Sequence, residues 1–156
     1  MALEISSVGA AVKYAVEATA GTRPTTGYTA IPDITKAPDI AMSVESLDAS
    51  NLSDLSKRYV PGQQDPGSDK TFTANHTEAF ITAWEALVTA ATAAIATGKA
   101  TWFEYSFPSP ATKSYFWSGM PMKIGTDALD MNSIHTISAT AILSDIDDWQ
   151  TKSTTI

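Results

Sequence analysis

The sequence contains no cysteine. That absence excludes a disulfide framework, a thiolate-ligated zinc site, an iron–sulfur cluster and a cysteine nucleophile. It leaves the redox compartment open, because a chain without thiols is indifferent to it. Charge is also scarce: Asp, Glu, Lys and Arg make up 17% of the residues, against about a quarter in an average soluble domain. Basic residues are the scarcer kind, 10 Lys and Arg against 17 Asp and Glu, for a net charge of −7. A cationic surface for reading or wrapping nucleic acid is therefore missing. No apolar run reaches the roughly 20 residues that a membrane helix needs. The N-terminus carries Glu4 and no basic residue before Lys13, so no signal peptide is expected.

Catalytic and ligand motifs are lacking as well. There is no GxSxG elbow, no GxGxxG turn and no phosphate-binding loop. The acidic run Asp145, Asp147, Asp148 lacks the ligand spacing and central glycine of a calcium loop. The sequons at Asn51 and Asn75 stand without a secretory signal and are read as coincidences of composition. His76 and His135, with Glu78, are the sole candidates for a metal or acid–base site, but no HExxH-type spacing joins them. The plainer reading makes His76 a surface residue near a helix cap and His135 a strand residue. No enzyme, metal or cofactor is expected.

What is present is an ordinary globular composition, 44% hydrophobic over 156 residues. That length fits one domain able to bury roughly 70% of its unfolded surface. Serine (16) and threonine (21) are abundant and favour strands and turns. A Thr- and Ala-rich surface of low charge fits a protein covered by copies of itself.

Residues 1–10 are small and aperiodic and read as an arm. Ala11–Glu17 reads as a first strand, and residues 19–39, with Pro24, Pro32 and Pro38, as extended segments broken by turns. Ile40–Leu47 alternates cleanly and predicts a half-buried strand. Residues 48–70 form a long polar loop with turns at Pro61-Gly62 and Pro66-Gly67. Its apolar residues Leu52, Leu55, Tyr59 and Val60 imply that it docks on something. Thr71–Asn75 predicts a strand.

The clearest element is a helix over about 76–97. Phe80, Trp84, Leu87, Val88, Ala91 and Ile95 recur at three- and four-residue spacing and define its buried face. Asn75 with Glu78 fits a capping box, and Gly98 a C-terminal stop. Strands follow at Ala100–Phe107, Ser114–Met122 and Met131–Leu143, with a bulge or strand end at Gly119 and Pro121 and an acidic tail from about 145. The aromatic residues Trp102, Phe103, Tyr105, Phe107, Tyr115, Phe116 and Trp117 fit either a sheet core or a sugar-stacking platform. The order of elements predicts an α+β fold, a mainly antiparallel β-sandwich or half-barrel with one flanking helix.

The segment Ser43–Phe72 resembles the tail tube (major tail) proteins of long non-contractile-tailed bacteriophages. The resemblance rests on Ser46-Leu47-Asp48, Tyr59-Val60-Pro61-Gly62, Asp65-Pro66-Gly67 and the upstream Ala30-Ile31-Pro32-Asp33-Ile34. The order of elements agrees over nearly the whole chain, without room for the immunoglobulin-like domain that some relatives append. The resemblance implies a virion protein, assembled in the host cytoplasm. Its subunits would form hexameric rings in the family's manner, stacked into a tube through which DNA passes during ejection without specific binding.

It implies a homo-oligomer with tape-measure and tail-terminator proteins as further partners. The terminal arms and the long loop would reach neighbouring rings, with Leu52, Leu55, Tyr59, Val60, Pro61 and Gly62 as contacts. Acidic walls would repel DNA, and Glu45 and Glu104 are the candidates for facing the channel. Phe80, Trp84, Leu87 and Val88 would form the core of the helix. The alternatives are a tube subunit of a contractile or secretion apparatus and a carbohydrate-binding or adhesin β-sandwich.

Overall fold

The computed structural model describes residues 4–154, so parts of the predicted terminal arms, residues 1–3 and 155–156, lie outside the described residues. The chain divides into two units, one of residues 1–38 with 69–156 and one of residues 39–68. The larger unit holds strands β1 (Ala11–Val16), β2 (Thr29–Ala30) and β3 (Ile34–Lys36). The smaller unit holds β4 (Ser43–Asp48) and β5 (Tyr59–Asp65). The larger unit continues with β6 (Asp69–Asn75), helix α1 (Glu78–Ile95), β7 (Thr101–Ser106), β8 (Lys113–Pro121) and β9 (Thr136–Thr151). Its sheet has the order β2-β1-β7-β8-β9-β6-β3, and every named pair is antiparallel.

The sheet curls. Phe72 on β6 and Phe103 on β7 are three strands apart in the order, which in a flat sheet is about 14 Å. Their ring centroids are 5.8 Å apart, and Phe72 also lies 6.0 Å from Trp117 on β8. Only a sheet rolled toward a barrel brings those rings together. Small residues on the inner side of β9 permit the bend: Ala139 and Ala141 are fully buried. Two register shifts between β8 and β9 tighten it further. At the second of these, Gly119 lies where a Cβ would stand 2.8 Å from the Ile142 carbonyl oxygen and 2.8 Å from the Trp117 ring. The expected α+β half-barrel with one helix is the fold observed.

The helix packs into the curl through Phe80, Trp84, Leu87, Ala91 and Ala94. Steps of four, three, four and three residues keep this stripe narrow, so Val88 is half-buried and Ile95 is exposed, contrary to their expected place in the core. Trp84 donates its indole N–H to the Met122 carbonyl at 2.8 Å and lies 5.7 Å from the Phe72 ring. By length and composition α1 is apolar enough to cross a membrane. Of its large apolar residues, Phe80, Trp84 and Leu87 are buried on the sheet.

The cap differs from the expected one. Asn75 still belongs to β6, paired with Thr136, and Thr77 takes the N-cap, accepting from the Phe80 N–H at 3.1 Å. Gly98 ends the helix as expected: at φ +75° it turns the chain so that its N–H reaches the Ile95 carbonyl and the Lys99 N–H reaches Ala94.

The last strand also departs from expectation. It begins at Thr136 and runs through the acidic cluster to Thr151, paired with β8 as far as Lys113, so residues 145–151 are sheet and not a free arm. Ser144 and Asp147 are the extra residues at its two register shifts.

Candidate assembly surfaces

In the smaller unit, the predicted loop is a β-hairpin. β4 and β5 pair from Ser43↔Asp65 to Asp48↔Tyr59; Pro61 pairs with Ser46 and Gly62 enters a bulge with Gln63 opposite Glu45, so Pro61-Gly62 makes no turn. Pro66-Gly67 does turn, with the Gly67 N–H bound to the Asp65 carboxylate. The predicted half-buried strand at Ile40–Leu47 is corrected too: β4 is exposed along its length, because a two-stranded ribbon has no layer to bury against.

The tip of the hairpin is tied by its own polar groups. The Ser50 N–H donates to Asp48 and the Asn51 N–H to Asp54, at 2.9 and 2.8 Å. The Ala49 N–H reaches the Arg58 carbonyl at 2.9 Å, and Arg58 Nε pairs with Asp54 at 3.1 Å. The bond from the Ser50 backbone holds the Asp48 carboxyl below its usual value. With its polar atoms occupied, this tip presents Leu52 and Leu55 to solvent, both fully exposed. Tyr59, Val60, Met42, Val44 and Leu47 are exposed as well. The last three were missed from sequence, since alternation was read as one buried face.

In the larger unit, Leu129, Met131 and Ile134 are at least 80% exposed in the β8–β9 connection. The sheet edges are short. β2 pairs with β1 at Lys13 and Tyr14, and β3 with β6 at Thr73 and Ala74.

The acidic candidates separate. Glu45 is exposed on β4. Glu104, expected on a channel wall, is fully buried and holds Ser153 instead. The strand that carries it is covered on both faces, so alternation could not reveal its burial. A second buried carboxylate, Glu17, accepts from Trp102 Nε1 at 2.8 Å and from the Gly21 and Ala100 N–H groups. Burial would raise its pKa, but these bonds outweigh burial and lower it.

The sugar-platform arrangement is not formed. Trp102, Phe103, Tyr115, Phe116 and Trp117 are buried, Phe103 stacking on Trp117 at 4.6 Å. The two histidines, distant in sequence, do meet, with their Nδ1 atoms 2.7 Å apart. Among the described residues no group of three or more His, Asp or Glu side chains could hold a metal ion.

No family model matches this sequence, and no curated protein matches it. Solved structures share its fold. The tube-terminating cap of the anti-feeding prophage superposes with a TM-score of 0.59 at 13% identity, covering 97% of this chain and 93% of its own. A chain of the sheath–tube complex of an extracellular contractile injection system (PVC, extended state) gives 0.52 at 13% identity, covering 90% and 88%. This chain therefore shares the fold of these two proteins. The second belongs to a contractile injection system, whereas the expected family is that of non-contractile tails.

Proposed function

We propose that this chain is a structural, non-catalytic subunit of a phage-tail-like assembly, with copies joined into rings that stack as a tube. The observation that carries this reading is the ordered hairpin whose tip presents Leu52 and Leu55 fully to solvent. An ordered turn with satisfied polar groups and exposed leucines gains stability when a neighbouring copy covers them. Heterologous contacts of this kind close into rings and propagate along an axis. The short edge strands support lateral joining, because a partner strand can add there.

Tyr59, Val60, Pro61 and Gly62 on β5 complete the proposed inter-ring contact. In the full reading the rings are hexameric and the tube conducts DNA in the virion. Tape-measure and terminator proteins are its partners, and Glu45 is the acid placed on the channel wall. Negative-stain microscopy of purified protein tests the assembly. Rings or tubes of constant diameter are expected. A strict monomer at high concentration that binds glycans would overturn it in favour of an adhesin.

A second reading is a tube or cap component of a contractile injection apparatus. Its support is the fold shared with the anti-feeding prophage cap. A cap terminates a tube, so assemblies that never elongate into tubes favour this reading.

A further inference from the structure

His76 follows β6 and precedes the helix, and His135 ends the β8–β9 connection just before β9. Their Nδ1 atoms are 2.7 Å apart, with ring centroids at 4.9 Å. At that separation one nitrogen carries a proton and the other offers a lone pair. The surroundings identify which. His135 Nε2 lies 3.3 Å from the Asp127 carbonyl oxygen, which can only accept. It also lies 3.0 Å from Thr126 Oγ1, which can donate to that same carbonyl at 3.2 Å. Nε2 of His135 therefore carries the proton, and Nδ1 of the neutral ring is the acceptor. His76 donates its Nδ1–H across the gap.

This arrangement treats two protons differently. His76 is exposed and His135 half-buried. The first proton goes to Nε2 of His76 and leaves the bond intact. The second can go only to Nδ1 of His135, where the His76 N–H already points. Two donors and two positive charges then face each other across one contact.

We propose that the His76–His135 pair is an acid-sensitive fastening, which holds the end of the β8–β9 connection to the helix start and releases it when both rings are protonated. The charged groups around the pair come from three elements. Asp127, in the connection itself, acts on His135, and its carboxylate is held by Thr136 and Ser138 at 2.7 and 2.8 Å. Asp33, ahead of β3, accepts from Thr77 at 2.7 Å. Glu78 lies in the first helical turn. None of the three is bonded to the Nδ1 contact, and the positive end of the helix opposes a second charge beside it. One backbone tether, His76 N–H to the His135 carbonyl at 3.1 Å, spans the same contact. The connection so fastened carries Leu129, Met131 and Ile134, all exposed.

The test is amide hydrogen exchange followed by NMR on the full chain as unassembled subunit, which makes it independent of the assembly reading. On acidification the backbone amide of His76, which donates to the His135 carbonyl, is expected to exchange faster relative to its intrinsic rate. In His76→Asn the side-chain amide donates to neutral His135 and, once flipped, accepts from the protonated ring. That variant keeps the backbone amide at position 76 protected in acid. No acid-dependent loss of protection in the natural chain, or the same loss in His76→Asn, would overturn the proposal.

Discussion

Glu104 accepts two hydrogen bonds from Ser153, from its amide at 3.0 Å and its hydroxyl at 2.7 Å. A fully buried carboxylate thereby fixes the end of the described chain. Neighbouring bonds continue the seam: Lys152 Nζ contacts the Phe107 carbonyl, and the Thr154 N–H reaches Thr25 at 3.0 Å. Glu104→Leu removes both acceptors and leaves the Ser153 N–H and hydroxyl without them. We expect a loss of roughly 1–3 kcal/mol, with faster carboxypeptidase trimming from the C-terminus. Unchanged trimming and an unchanged unfolding midpoint would refute this role.

Trp84 links the helix to the sheet by packing and by one hydrogen bond to Met122. Trp84→Ala should cost about 3–5 kcal/mol, as large aromatic truncations in cores do. Trp84→Phe should cost less, since it keeps most of the ring contact with Phe72 and loses the indole donor. Denaturant midpoints of the two variants check the order.

The Glu17 carboxyl has its pKa lowered from 4.5 in the folded chain. Its stabilisation is therefore present above the unfolded value and is lost as pH falls through the folded one. Glu17→Gln should cost about 1–2 kcal/mol near neutral pH, because three donors lose a charged acceptor. The gap between wild type and variant should narrow below pH 4.5. A gap that stays constant from neutral to acid pH would show that the charge on Glu17 is irrelevant.

Leu52→Ser with Leu55→Ser removes the exposed apolar tip without touching the hairpin's internal bonds. Subunit stability should stay within about 0.5 kcal/mol, as for surface changes generally. Ring or tube formation should fall sharply in the microscope. Assembly at wild-type yield would remove the tip from the contact.

The helix was legible in the sequence because an apolar stripe at helical spacing and a glycine past its end are local signals. The Gly119 bulge was legible too, since glycine and proline in a strand report on backbone geometry directly. The hairpin in the smaller unit was not. Pro61-Gly62 is a turn signal by frequency, but pairing with β4 absorbed it, Gly62 as part of a bulge. The capping residue was misplaced for a similar reason, since β-pairing with Thr136 held Asn75 in β6.

By itself, the sequence determined the α+β class, the helix with the strands that follow it, and the lack of thiols and scarcity of basic residues. These follow from composition and short-range periodicity. Tertiary structure alone decided that Glu104 is inside, that His76 meets His135, and that the apolar residues of β4 face outward. Each depends on which strands become neighbours when the sheet curls, and on which segment has a second layer to cover it. Pairing over such separations leaves no periodic trace in the chain.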